Sequence, residues 1–422
     1  MFSCSGKLDK HMSNSKLATF LDLSWTELLQ LFCLFLVWRV ALFVVGFFAP
    51  SFLPYEPSFP YADAILTQYH LPQWLYSWAN FDGVHYLTIA EKGYLGTGLI
   101  QAFFPFLPLI ILHSLYLLTG GHLNTLLVGL IVTNGAMLLC LVLWYVFLKS
   151  FLSKPKTWLG VLLLLAFPTS LFFGALYTES IFLAAVIGAF LAARRRRWIW
   201  CAVFVLIATA SRIVGVFLLP ALTLETWLQW REQQGGKQVA KSVVTQLTSF
   251  LSSSWRQLVL IGVGGLGTVL YMIYLARTFG DPLYFLHVQS EFGAGRTEGL
   301  VIYPVVLWRS IKILLTLDPL TLRYYSSALE FLAGSLGLVG LFISAWRVRL
   351  SYVVFALGAF FLPTFTGTFS SMPRYLLVCF PIYLLLIEML AARPRLRSIV
   401  LGIFILSLVV NTVLFIQGYW LS

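Results

Sequence analysis

Charge is what this sequence has least of. Only 10% of its 422 residues are charged, against 59% hydrophobic. Soluble domains carry about 25% charged residues, so a large water-soluble core without that shell is excluded. The chain also lacks a Walker A loop, HExxH, GxSxG and CxxC, which removes the usual signatures of nucleotide, zinc-protease, serine-hydrolase and dithiol chemistry. It has no DxD pair of the kind that holds a metal with a nucleotide-sugar, and Asp82 with His85 is too little for a metal site. No metal or other cofactor is expected. The five cysteines (Cys4, Cys33, Cys140, Cys201, Cys379) have no ligand spacing, and four lie in apolar runs; they read as small core residues. No cleavable signal is expected, because the first apolar run begins near Leu28 after a polar leader and is long enough to span. There is no repeat of fixed period and no low-complexity linker, so a single membrane domain over 1–422 accounts for the chain.

What is present is grease, punctuated by basic patches. Apolar runs of about 20 residues recur, each long enough to cross a hydrocarbon core of about 30 Å. The net charge of +12 comes from basic clusters between those runs, so the positive-inside rule explains it without a nucleic-acid partner. Lys7, Lys10 and Lys16 put a leader, 1–26, inside before a first span at 27–49. Lys149, Lys154 and Lys156 follow a run at 123–148. The RRRR run at 194–197, then Arg231, Lys237, Lys241 and Arg256, then Arg347 and Arg349, and finally Arg393, Arg395 and Arg397 mark further inside loops. The expected fold is therefore an all-α polytopic membrane protein with about eleven crossings. Residues 50–122 form a long first external loop, whose apolar piece 103–118 lies along the interface or re-enters. The arms around SRIVG (211–215) are expected to be too short to cross alone and to leave a polar turn facing a cavity.

Polar residues that topology does not explain fall on the external side: Asp82, His85, Glu91, Tyr177, Glu179, Arg212, Asp281 and Arg374. Intramembrane ionisable groups usually face a cavity and mark function, and convergence on one face points to one site. In FDGVHYLTIAEKGY, Asp82, His85, Tyr86 and Ile89 have the spacing of one helix face, with Gly93 as its stop. The spacing predicts an amphipathic helix at the external surface that displays the Asp82 carboxylate near its N-terminus, where the dipole favours the ionised form; in the blander reading Asp82 is an N-cap and His85 and Tyr86 are interfacial anchors. Arg212 and Arg374 are candidates for gripping a phosphate; alternatively Arg212 pairs with Glu179 and Arg374 snorkels to headgroups. Glu179 could cap the helix beside it. His85, Tyr86, Tyr177 and Glu179 are candidates for binding or orienting substrate. GVGGLG (262–267) matches a dinucleotide fingerprint but lies in an apolar span, where small-residue helix packing is the better reading.

FDGVHYLTIAEKGY (81–94), FFPFLP (103–108), FPTSLFFGALYTES (167–180) and SMPRYLLVCFPIYLLL (371–386) occur in an order that resembles the GPI mannosyltransferase II (PIG-V) family. The match is looser at SRIVG and continues through GDPLYFLHVQSEFG (280–293); compact loops make the chain look like a bacterial member. The resemblance implies a GT-C glycosyltransferase fold with juxtamembrane helices in the first external loop. It implies a polyprenyl- or dolichyl-phosphate-mannose donor, a glycolipid or other lipid-linked acceptor, and Asp82 in the catalytic position. The implied place is the bacterial plasma membrane, or the ER membrane in a eukaryote, with the active site extracytoplasmic. A lipid transporter or flippase that binds phosphate without chemistry, and an inactive GT-C-like assembly subunit, are the competing classes. Without a metal-holding DxD pair, transfer from polyprenyl-phosphate-mannose is expected to proceed with no added divalent ion. Complete loss of transfer in chelator would contradict this.

Overall fold

The structure is a computed structural model that describes residues 22–59, 61–234, 242–292, 297 and 299–421. Cys4, the leader lysines Lys7, Lys10 and Lys16, and Lys237 and Lys241 lie outside the described residues. Among the described residues there is helix and no strand. Six helical segments among the described residues are long and apolar enough to cross a membrane: Trp25–Ser51, Thr125–Lys149, Ile213–Gln233, Val243–Phe279, Leu322–Arg347 and Pro394–Ile416. The protein is an all-α, multi-pass membrane protein. Further apolar helices, such as Trp198–Ser211 and Leu350–Thr364, are shorter than a full crossing, so six segments have crossing length among the described residues, against about eleven crossings expected.

The first span, α1 (Trp25–Phe48), starts at a capping box. The Ser24 hydroxyl accepts from the Glu27 N–H at 3.2 Å, and the Glu27 carboxylate accepts from the Ser24 N–H at 2.9 Å. This satisfies two orphan donors reciprocally. Glu27 also accepts from Lys149 Nζ at 2.9 Å, tying α1 to the end of the next full-length span. Deeper in α1, Arg39 is buried with its guanidinium between the rings of Phe43 (3.9 Å) and Trp78 (4.0 Å). The aromatic faces supply the electrostatic partner that a lipid-embedded cation needs.

The loop after α1 carries α2 (Ala62–Thr67), α3 (Gln73–Tyr76) and α4 (Asp82–Lys92). A π-wound turn at Phe106–His113 follows and runs into α5 (Ser114–Leu118). The expected surface-lying helix is in fact interior: every residue of α4 from Gly83 to Ala90 is buried. Val84, Leu87 and Ala90 join the main core, while Ile89 joins a second apolar cluster with Tyr94, Ile100, Phe104 and Tyr271. Both faces therefore find apolar cover, and an apparently amphipathic pattern sinks into the protein.

α6 (Thr125–Lys149), α7 (Lys154–Ala166), α8 (Glu179–Arg194) and α9 (Trp198–Ser211) follow. α8 packs between α6 and α9 and is buried from Glu179 to Ala193. α10 (Leu218–Gln233) continues from the turn 213–217, so the arm after SRIVG is long enough to cross; only α9, before it, has the expected shortness. α11 (Val243–Gly264) contains Arg256, which therefore sits in a helix and not in a loop. α12 (Leu266–Phe279) is offset from α11 at GVGGLG. A Cβ on Gly264 would meet Val205 at 2.6 Å, and one on Gly267 would meet the Leu206 carbonyl at 2.6 Å. These glycines let α11 and α12 touch the α9 backbone, the packing role expected of them. The chain ends with α13 (Tyr284–His287), α14 (Tyr303–Thr316), α15 (Leu322–Arg347), α16 (Leu350–Thr364), α17 (Met372–Leu376), α18 (Pro381–Ala391) and α19 (Pro394–Ile416).

Ionic clusters mark both ends of α8. Near its C-terminus, the fully buried Glu225 accepts from Arg349 Nε at 2.6 Å and from the Ser351 hydroxyl at 2.7 Å, with Arg194 at 3.6 Å. Near its N-terminus lies Glu179, about 22 Å away at 1.5 Å per residue. If this separation spans the bilayer, exposed Thr97→Cys and Arg197→Cys, made in a cysteine-free background, should label from opposite faces of sealed vesicles. Labelling of both from the same face would overturn that topology.

Candidate functional site

Asp82 is aimed by backbone ties that converge on residues 78–82. The Leu176 N–H donates to the Trp78 carbonyl (2.9 Å), and the Asn80 amide donates to the Phe415 carbonyl (2.8 Å). The Tyr177 hydroxyl donates to the Asn80 carbonyl (3.1 Å) and accepts from the Asp82 N–H (3.2 Å). Phe81, immediately before Asp82, has φ of +58°, a conformation that side chains adopt only where surrounding structure over-determines it. Phe81, not Asp82, holds the N-cap position of α4. The Asp82 carboxylate is thus free of capping and points at Arg374.

From there an alternating row of charges runs inward. Arg374 Nη1 donates to Asp82 Oδ2 at 2.6 Å, Arg374 Nε lies 3.5 Å from Glu179 Oε1, and Arg212 Nη1 donates to that same Glu179 oxygen. Glu179 is the buried middle member, 1% exposed. It does not cap α8; the N-cap is Thr178, whose side chain makes no capping bond. Arg374 does not snorkel outward but turns inward. Burial opposes its charge, yet the Asp82 and Glu179 carboxylates outweigh that and hold its proton more tightly than usual. Arg212 reaches the row because the chain reverses at Gly215, where a Cβ would strike the Ala208 carbonyl at 2.6 Å.

Asp82, His85, Tyr86, Arg212 and Arg374 line a single cavity of about 340 Å³. Five residues predicted from sequence thus share one hollow. Tyr177 and Glu179 stand behind it and hold the others in place. Glu91 bonds the Tyr69 hydroxyl at 2.6 Å, and Asp281 pairs with His287 at 2.6 Å; neither lines the hollow. Thr178, Ser211, Ser371 and Tyr375 also line it, and no spacing rule pointed to them, since small hydroxyl residues are common at helix ends and a tyrosine is ordinary in an aromatic-rich chain. Aromatic rings line part of the hollow as well. His85 is stacked between Phe59 (5.2 Å) and Phe103 (5.0 Å), and Phe81 meets Trp420 edge-on at 5.6 Å. Burial lowers the His85 pKa, against the pull of the Asp82 charge, so the imidazole is neutral near pH 7. Burial, then the Asp82 charge, raises the Tyr86 phenol, which stays a hydrogen-bond donor.

A hollow with two guanidinium groups, a carboxylate at the rim and an aromatic wall suits an anionic group joined to a hydroxyl-rich, partly apolar body. Glu179→Ala should cost about 3–5 kcal/mol by stranding buried cations, seen as a lowered melting temperature in detergent. Asp82→Asn should melt near the native protein, since its amide oxygen still accepts from Arg374. A native-like melt for Glu179→Ala would refute the counter-ion role. Comparison with known proteins adds no relative: no family model matches the chain, and neither does any curated protein.

Proposed function

We propose that the protein is an integral-membrane glycosyltransferase. In this reading it moves a mannosyl or other hexosyl residue from a polyprenyl- or dolichyl-phosphate-sugar to a lipid-linked or glycolipid acceptor on the extracytoplasmic side. The observation that carries the reading is Asp82 sharing one cavity with the guanidinium groups of Arg212 and Arg374. It is supported by the resemblance of residues 81–94, 167–180 and 371–386 to the GPI mannosyltransferase II family and the GT-C fold that this resemblance implies.

The chemistry follows from the charges. A donor phosphate entering the hollow competes with Asp82 for Arg374. As the phosphate takes the guanidinium, the carboxylate is released to accept a proton. The acceptor hydroxyl oxygen then attacks the anomeric carbon while Asp82 takes its proton. The bond from that carbon to the phosphate oxygen breaks, and its electron pair leaves with the phosphate. Arg374 and Arg212 neutralise the charge that grows there. A single displacement from a β-linked donor inverts to an α-glycoside. The donor's prenyl tail stays in the bilayer, which suits a site enclosed by membrane helices, and the aromatic wall suits the CH faces of a sugar.

Purified protein incubated with labelled polyprenyl-phosphate-mannose and membrane glycolipid is expected to give a labelled glycolipid. Asp82→Asn should lower transfer by about 10²–10⁴-fold, the usual worth of general-base catalysis, while leaving the fold intact. Full activity in the variant would rule out Asp82 as base, and retained lipid flux without sugar transfer would favour the transporter class.

A further inference from the structure

We propose that Ser371 contacts the substrate, its hydroxyl donating to an oxygen of the same phosphate that Arg374 binds. The inference rests on the phosphate-bearing donor proposed above and adds a residue to its recognition.

Ser371 occupies the N-cap position of α17, where a serine hydroxyl ordinarily accepts from the N–H groups of the first turn. Here it makes no such bond. Its φ is +66°, a left-handed conformation favoured by glycine and asparagine rather than serine. The residue is fully buried, it lines the hollow, and its Oγ has no hydrogen-bond partner. Burying a hydroxyl without a partner is unfavourable, so this turn gives up both a cap and a relaxed backbone to hold the group where it is.

The other small hydroxyls at the guanidinium end are engaged. Ser211 donates to the Ile207 carbonyl at 2.7 Å, and Thr178 Oγ1 meets Arg212 Nη1 and the Tyr86 hydroxyl, each at 3.5 Å. Ser371 and Arg374 are also tied together through the backbone. The Ser371 carbonyl accepts from the N–H groups of Arg374 (3.0 Å) and Tyr375 (3.1 Å), and its own N–H donates to Glu330 Oε1 at 3.2 Å. A guanidinium can only donate, so it cannot complete a neighbouring hydroxyl by accepting from it. The missing partner is an acceptor brought by the ligand. In a hollow that two guanidinium groups also line, the acceptor of matching chemistry is an anionic oxygen, which the donor's phosphate supplies.

The test measures binding of farnesyl phosphate, and of inorganic phosphate as competitor, to the full-length protein in nanodiscs, together with melting temperatures. Native protein should bind the prenyl phosphate, and Arg374→Ala should bind it weakly or not at all. Ser371→Ala and Ser371→Gly should each lose about tenfold or more in affinity for both phosphates, the usual effect of removing a hydrogen bond to a charged group. Their melting temperatures should match or exceed the native value, because no internal bond is lost and glycine relieves the positive φ. Native-like affinity in both variants would overturn the role of Ser371 and leave the donor reading standing. A lowered melting temperature with unchanged affinity would assign the hydroxyl to the fold and equally overturn it. Loss for farnesyl phosphate alone would place the contact on the prenyl tail, against the proposal. Failure of the native protein to bind either phosphate would bring down the donor reading and this inference together.

Discussion

Everything around the cavity follows from the requirement that charges removed from water be answered inside the protein. A lipid-embedded chain has no solvent to fall back on. Its buried ionisable groups are therefore answered from within, Arg39 by aromatic rings and others by two ion-paired sets: Asp82, Arg374, Glu179 and Arg212 at one end of α8, and Glu225 with Arg349 and Arg194 at the other. The two sets differ in one respect. Glu225 is wholly enclosed, with additional bonds from Ser351 and Gln229, and behaves as a fastening between helices. Asp82 is 24% exposed and opens onto a cavity, and the proposed reaction exchanges this outermost link of its row for a ligand.

That difference gives the site its character. In the proposed exchange the inner pair, Glu179 with Arg212, keeps the row anchored while Arg374 changes partners, and Tyr177 holds the backbone of Asp82 in register. Positive φ angles sit beside both ends of the exchangeable link, at Phe81 before Asp82 and at Ser371 before Arg374. Strain of this kind persists only where the surrounding packing enforces it. At Phe81 that packing is the wall of α4, the turn 176–178 and the end of α19, all linked to residues 78–82 by hydrogen bonds. A rigid frame with one exchangeable ion pair fits the proposed reaction, in which a phosphate must displace a carboxylate before that carboxylate can accept a proton.

Much of this was legible along the chain, for a definable reason. Hydrophobic length and missing charge follow directly from the solvent, so an all-α membrane protein was readable, as was the first span and the packing role of GVGGLG. Asp82, His85, Tyr86, Arg212 and Arg374 were readable as candidates because polar groups in grease need a purpose. The burial of α4 was not readable. Its pattern suits an interfacial helix, and only the second apolar cluster around Tyr271 and Phe104 covers its other face. Nor was the crossing length after SRIVG, which depends on the turn 213–217 stacking directly onto α10.

By itself, the sequence determined the solvent, the secondary structure and the short roster of residues able to carry charge chemistry, because composition and period act locally. Tertiary structure alone decided who meets whom. Arg374 reaches Asp82 across almost three hundred residues of chain, Glu179 sits between the two arginines, and Ser371 has its hydroxyl left unpaired. Such pairings arise from helices brought side by side, and no local pattern encodes them.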